Sequence, residues 1–284
     1  MLAAHHLLCD GRGLLQLTEE FAKHYVLEEE PAFAEEHLIE GLSDLPPKSD
    51  LPWISKAVIG DANKKWAKEQ HKVTYEEYLA FEKEYIRQNP VGHRIRTVEK
   101  AEMEKILAEC RQAKISVNDY LIAQMMQEKD TNKVVIAADI RSQVKGYVPG
   151  AMGNYSTAFS VVVKKKASDR LALAGQVSAR VKKIIAKPQK EMLVLACYLR
   201  MHPELIDAVA VSTLGSFSSP AGTFVGKNMF GFAARSGCSI TNLGRIQSDV
   251  IQEAVFIPPA SPANRIIWGV LTVNGTMRIC EAGS

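Results

Sequence analysis

The residues best equipped for chemistry stand together near the start of the chain, in the stretch AHHLLCDGRG: His5, His6, Cys9, Asp10 and Gly11. Three uses fit such a cluster. The plainest is that His5 and His6 are ordinary core or surface histidines. A metal site built from His5, His6 and Asp10 fits poorly, because the apolar run MLAAHHLL reads as a strand, and neighbouring strand residues face opposite ways. No cysteine or further histidine stands at zinc-like spacing either, so no metal is expected. The third use is general base catalysis. One imidazole facing a cleft takes a proton from an alcohol or amine near neutral pH, while Asp10 orients it or braces the turn. Such chemistry needs neither metal nor nucleophilic serine when the acyl donor is already activated, as in a thioester.

The elements needed to position this cluster are legible in outline. GLLQLTEEFAKHY places Leu14, Leu17, Phe21 and Tyr25 at helical spacing and predicts a helix packed on the preceding strand. Residues 28–60, with glutamates and LPPKSDLP, read as an exposed connection. TYEEYLAFEKEYIRQNP predicts a helix and GHRIRTV a short strand. Residues 99–113 form a further helix, and Ser116 with Asp119 predicts a near capping box before YLIAQMM. KVVIAADIR and NYSTAFSVVVKK read as strands, followed by a helix capped by Ser168 and helical stretches through Leu193 and after Pro203. In the last third MFGFAAR, CSITNLG, DVIQEAVFIP, RIIWGVLTV and TMRICEA read as strands, with Asn274-Gly275 as a type I′ hairpin signal between the last two. The class is α/β, helices covering a sheet of undetermined strand order.

Composition narrows the function. A net charge of +3 gives no argument for nucleic acid, and Lys164, Lys165 and Lys166 read first as a solvated strand end, with a phosphate-bearing ligand as the weaker use. Five scattered cysteines without a CxxC pair fit a reducing compartment. The chain start has neither a basic region nor a sustained apolar run, and no stretch approaches a membrane span; a cytoplasmic protein is expected.

His5-His6-Leu7-Leu8-Cys9-Asp10-Gly11 resembles the HHxxxDG motif of the condensation-domain and chloramphenicol-acetyltransferase-like (CAT-like) superfamily. Later stretches agree in order. ISVNDYLIAQ is similar to that family's ND-containing helix and ADIRSQV to its Asp-x-Arg strand. MGNYSTAF is similar to its Gly-Asn segment and SITNLGRI to its SNLG-type segment, with Thr241 where the family has Ser. The resemblance implies a CAT-like two-layer α/β fold, mainly the C-terminal lobe with a mixed sheet covered by helices. Residues 1–27 would be a strand and helix remaining from an N-terminal lobe, 28–90 a crossover segment and 91–284 the C-terminal lobe.

The resemblance also implies an acyltransferase. An acyl group would pass from a CoA or carrier-protein (phosphopantetheine) thioester, as substrate rather than bound cofactor, to a hydroxyl or amine acceptor. It makes His6 the base and pairs Asp10 with Arg141, leaving His5 in support. Gly11 would let backbone approach substrate and its amide hold the oxyanion, while Asn154, Thr241 and Asn242 would line a tunnel. In the family the motif follows a complete N-terminal lobe, whereas here it begins at residue 5. That departure implies a lobe supplied as a separate chain or left out of this sequence, or self-association that covers an exposed apolar junction, and little activity from these residues alone. The alternative function is a non-catalytic binding or scaffold lobe, or a degenerate relative of a peptide-bond-forming condensation domain.

Overall fold

A single six-stranded mixed sheet organises the chain in the computed structural model, which describes residues 1–6, 8–32, 34–69, 72–232, 237–259 and 263–283. The strands are β1 (Gly92–Val98), β2 (Lys133–Asp139), β3 (Ser156–Val162), β4 (Gly237–Ile246), β5 (Asn264–Val273) and β6 (Thr276–Gly283). Their order is β1-β6-β5-β4-β2-β3. The central pairs β2–β4 and β4–β5 are parallel, and β2–β3, β5–β6 and β1–β6 are antiparallel. Asn274 and Gly275 both have positive φ (51° and 92°), as a type I′ turn requires, which closes the β5–β6 hairpin at the expected place.

Side-chain alternation gives the sheet two different faces. Val134, Ile136, Ile240, Trp268 and Val270 point into the main core, against α4 (Lys100–Gln112), α5 (Val117–Glu128) and α6 (Arg170–Ile185). α5 starts from the expected box: Ser116 Oγ accepts from Asp119 N at 3.0 Å while Asp119 Oδ2 accepts from Ser116 N at 2.9 Å. The helix α6 is capped one residue later than expected. Asp169, not Ser168, accepts from the third amide at 2.8 Å, and a carboxylate is the stronger partner for the positive helix end.

The opposite face carries Leu243, Leu271 and Val273, packed with Leu15 of α1 (Gly11–Leu27) and with Ile251 and Phe256. This is where sequence expectation and structure part. DVIQEAVFIP forms no strand; residues 249–259 cross the sheet face as an irregular strap, burying Ile251 and Phe256 without entering the ladder. Gly269 makes room for it, since a Cβ there would lie 2.6 Å from the Phe256 carbonyl oxygen. In MFGFAAR the described residues belong to a π-helical turn, Gly226–Phe230, and its end, while 233–236 lie outside the described residues.

Residues 28–60 are not wholly an exposed connection. α2 (Trp53–Glu69) starts within them and buries Ile59, Ala62 and Trp66. It packs with α8 (Leu193–Arg200), α9 (Pro203–Leu214) and α10 (Pro220–Val225) in a second apolar cluster. α3 (Tyr75–Gln88) is the expected helix, entered through a Thr74–Glu77 capping box, and α7 (Pro188–Glu191) is a single turn. Lys164 and Lys165 are exposed beyond β3, and Lys166 pairs with Asp130 at 2.9 Å, so this run is the solvated strand end.

Candidate active site

Asp10 organises the motif. It is the N-cap of α1, and its Oδ1 accepts from Gly13 N at 2.9 Å, next to the positive helix end. Arg141, in the 3-10 turn after β2, donates to both oxygens, Nη2 to Oδ1 at 2.8 Å and Nη1 to Oδ2 at 3.0 Å. Tyr155 N adds a bond to Oδ2 at 2.8 Å, so a buried carboxylate joins three segments. Burial disfavours the Arg141 charge, but hydrogen bonds and attraction from Asp10 and Asp139 outweigh this and hold its pKa above the usual arginine value. The Asp10–Arg141 pair implied by the resemblance is therefore present as a bidentate contact. Arg141 stands on the turn beyond β2 rather than within the strand.

The described residues of 1–9 form no strand. Leu8 N bonds back to the His5 carbonyl at 2.9 Å as a turn, and Asp10 N bonds to the Gly153 carbonyl at 3.3 Å. Extended backbone is stable in a sheet only with a neighbour to pair with, and this segment meets the turn at Gly153 rather than a strand edge. Alternation therefore does not separate the histidines, yet only one lines the cleft. His6 does, whereas His5 is exposed and lies outside the lining.

That cleft, about 550 Å³, lies on the α1 face of the sheet. It gathers His6, Asp10, Gly11, Arg141, Thr241 and Asn242. Asn154 is not on the lining but reaches the His6 ring, Nδ2 to Nδ1 at 3.3 Å. The Asn154 amide is turned by Ser156, whose hydroxyl donates to Asn154 Oδ1 at 2.7 Å and whose amide does so at 3.4 Å. An amide nitrogen only donates, so in this arrangement Nδ1 of His6 accepts and the neutral ring carries its proton on Nε2.

Gly11 also has a packing reason. A Cβ there would sit 2.7 Å from Leu243 Cδ2 and 3.1 Å from Phe256 Cζ, so the glycine lets α1 settle on the sheet. Asn242 is committed at both ends, accepting from Gly244 N at 2.9 Å and donating to Asn118 Oδ1 at 3.4 Å across the bulge in β4. Two members escape the sequence reading. Asp139 accepts from Arg141 Nη1 at 3.1 Å, and Arg12 lies 3.4 Å from Asp139, so Arg12, Asp139, Arg141 and Asp10 form one ionic chain along the cleft. Asp139 could have been found from its place two residues before Arg141 in ADIR; Arg12 carries no such signal. Cys9 is a buried member of the cleft lining, its thiol pushed up by burial and by Asp10 against the pull of Arg141.

Of the helix α1 only Gly13 and Leu15 are buried; Leu17, Phe21 and Tyr25 are exposed, Phe21 at 56% and Tyr25 at 79%. The face expected to pack is the face left open, because the preceding residues supply no strand beneath it. Among the described residues no group of three or more His, Cys, Asp or Glu could hold a metal ion, and no described helix is long and apolar enough to cross a membrane.

A mixed sheet covered by helices, with the cleft on one face, gives the chain a fold shared with structures of the condensation-domain, CAT-like type. The chain is similar to the epimerization domain from the third module of tyrocidine synthetase B, with 17% identity and a TM-score of 0.52 over 99% of this chain and 62% of that one. It is also similar to VibH, a condensation enzyme (12% identity, TM-score 0.44, 99% of this chain and 61% of that one). A third similar structure is polyketide synthase associated protein 5 from Mycobacterium tuberculosis (13%, 0.46, 98% and 67%). The chain thus spans less than two thirds of the tyrocidine synthetase domain. No protein-family model and no curated protein sequence matches the chain.

Proposed function

We propose that the chain carries the catalytic face of an acyltransferase that moves an acyl group from a CoA or carrier-protein thioester to a hydroxyl or amine acceptor. The observation that carries this reading is the convergence at one cleft of His6 with the Asp10–Arg141 clamp. His6 takes the acceptor proton as the acceptor attacks the thioester carbonyl. The tetrahedral adduct then collapses, the carbon–sulfur bond breaks, and the imidazolium returns its proton to the departing thiolate. We assign the oxyanion to the Gly11 amide and the Thr241 hydroxyl, supported by the place of Gly11 at the positive N-terminus of α1 and of both residues on the cleft lining.

Base action through Nε2 requires the proton on Nδ1. Turning the Asn154 amide by a half rotation supplies this: Oδ1 then accepts from Nδ1–H and the amide nitrogen donates to Ser156 Oγ, at the expense of the two long contacts with the Ser156 amide (3.4 Å) and the His6 carbonyl (3.5 Å). The open side of the cleft and the exposed Phe21 and Tyr25 fit a site completed by a second wall from outside these residues. The wall's source is a separate lobe or a second copy of this chain, and turnover depends on it.

The test is replacement of His6 by Ala in the assembly that turns over, with labelled acyl thioesters offered to alcohol and amine panels. His6→Ala should lower kcat/KM by roughly 10²–10⁴ without changing the melting curve, and His5→Ala should leave it near wild type. Unchanged turnover in His6→Ala assigns the chain to binding or scaffolding instead.

A further inference from the structure

We infer that the acyl group this cleft accepts is apolar and uncharged, and specifically that it carries no ammonium group. The inference rests on the acyl-transfer reading above and names the substrate class of that same site. Beside its polar members, the lining is aliphatic and aromatic, with Ala4, Leu14, Val255, Phe256, Ile257 and Leu271 among its walls. A volume of about 550 Å³ is enough to bury a substantial organic group.

The carboxylates of the cleft are already paired. The lining's carboxylates, among the described residues, are Asp10 and Asp139. Asp10 accepts from Gly13 N, Tyr155 N and both terminal nitrogens of Arg141. Asp139 accepts from the side chain and amide of Arg141 and faces Arg12. An acyl group bearing an α-ammonium would bring a charge into this wall with no carboxylate left to receive it, and an unpaired charge costs more there than in water. A hydrocarbon chain meets no such cost and gains from each methylene it buries.

Two measurements on the full chain decide the matter. In calorimetry, the non-hydrolysable thioether analogue of hexanoyl-pantetheine should bind at least about tenfold more tightly than the 2-aminohexanoyl analogue of equal length. Val255→Asp, which puts a carboxylate on the half-exposed apolar wall, should abolish or invert that ratio, and Val255→Asn should preserve it, with melting curves confirming that both variants fold. In the active assembly, kcat/KM should rise about fourfold per added methylene from butyryl to octanoyl thioesters.

Equal or tighter binding of the amino analogue, absence of binding by either, a ratio unmoved by Val255→Asp, or a flat chain-length series would each overturn the inference. Hexanoyl preference in binding together with turnover indifferent to His6 would instead sink the catalytic reading and leave this one standing.

Discussion

Replacing Asp10 with alanine removes one carboxylate and leaves four donors behind. The Gly13 and Tyr155 amides, at 2.9 and 2.8 Å, lose their acceptor, and Arg141 loses both contacts of its bidentate pair. The side chains of Asp10 and Arg141 are only 5% and 12% exposed, so water does not take the place of the lost partner. Breaking a buried pair from one side costs roughly 3–5 kcal/mol, and loss of the helix cap accounts for about 1 kcal/mol of that order. Asp139 remains beside Arg141 at 3.1 Å and keeps its charge partly paired, which places the expected loss near the lower end, about 3 kcal/mol. For a chain of this size that is a fall in Tm of roughly 6–12 °C. Urea unfolding followed by tryptophan fluorescence, with calorimetry alongside, reads both quantities. A cycle through Arg141→Ala and the double variant isolates the pair, and a coupling of about 2 kcal/mol is expected. A loss under about 1 kcal/mol for Asp10→Ala, or a coupling under about 0.5 kcal/mol, would refute the clamp as the element that fixes this turn.

Asn154→Asp gives Nδ1 of His6 a permanent acceptor and adds a negative charge that favours the imidazolium. The acid limb of the pH–rate profile should therefore move to higher pH, because the neutral base form then appears only at higher pH. A profile identical to wild type would contradict the contact. Gly11→Ala forces a methyl group to within 2.7 Å of Leu243 Cδ2, and overpacking of this kind should cost roughly 1–3 kcal/mol in denaturant unfolding; a neutral result would mean α1 does not sit on β4 as described. Cys9, Cys110, Cys197, Cys238 and Cys280 are all free and buried, with their thiols pushed up by burial. A thiol reagent at mildly alkaline pH should consequently react with them only on unfolding, and rapid labelling of the native chain would contradict this packing.

What the sequence revealed and what it hid follow the range of the interactions involved. The Ser116–Asp119 box, the Thr74 start of α3 and the Asn274–Gly275 turn are local, set by residues three or fewer apart, and each appears where the spacing places it. Residues 249–259 look like a strand because Val250, Ile251, Val255 and Phe256 have strand composition. Their placement is decided by Leu15, Leu243 and Leu271 from distant segments, which offer an apolar surface and no ladder. α2 stayed hidden because few of its apolar residues are buried and Trp53 and Ile54 face solvent, which blurs the helical period. Within the site, the Asp10–Arg141 pair came from a motif rather than from periodicity. Asp139 as a second partner of Arg141 and Ser156 as the group that turns Asn154 are contacts between residues two apart, within reach of a closer reading of ADIR and NYS, whereas Arg12 meets Asp139 only through the fold.

The clamp spans 131 residues of chain between Asp10 and Arg141, and 145 between Asp10 and Tyr155. Contacts of that separation are closed against a large loss of chain entropy, so they form after the hairpins and helix pairs between them. During synthesis, at about 5–20 residues per second, the segment around residue 10 waits roughly 7–26 s before Arg141 is even made. Throughout that interval the imidazole of His6 has no cleft to belong to. The fold thus assembles its chemistry last, and a chain interrupted before residue 155 carries the motif without the site.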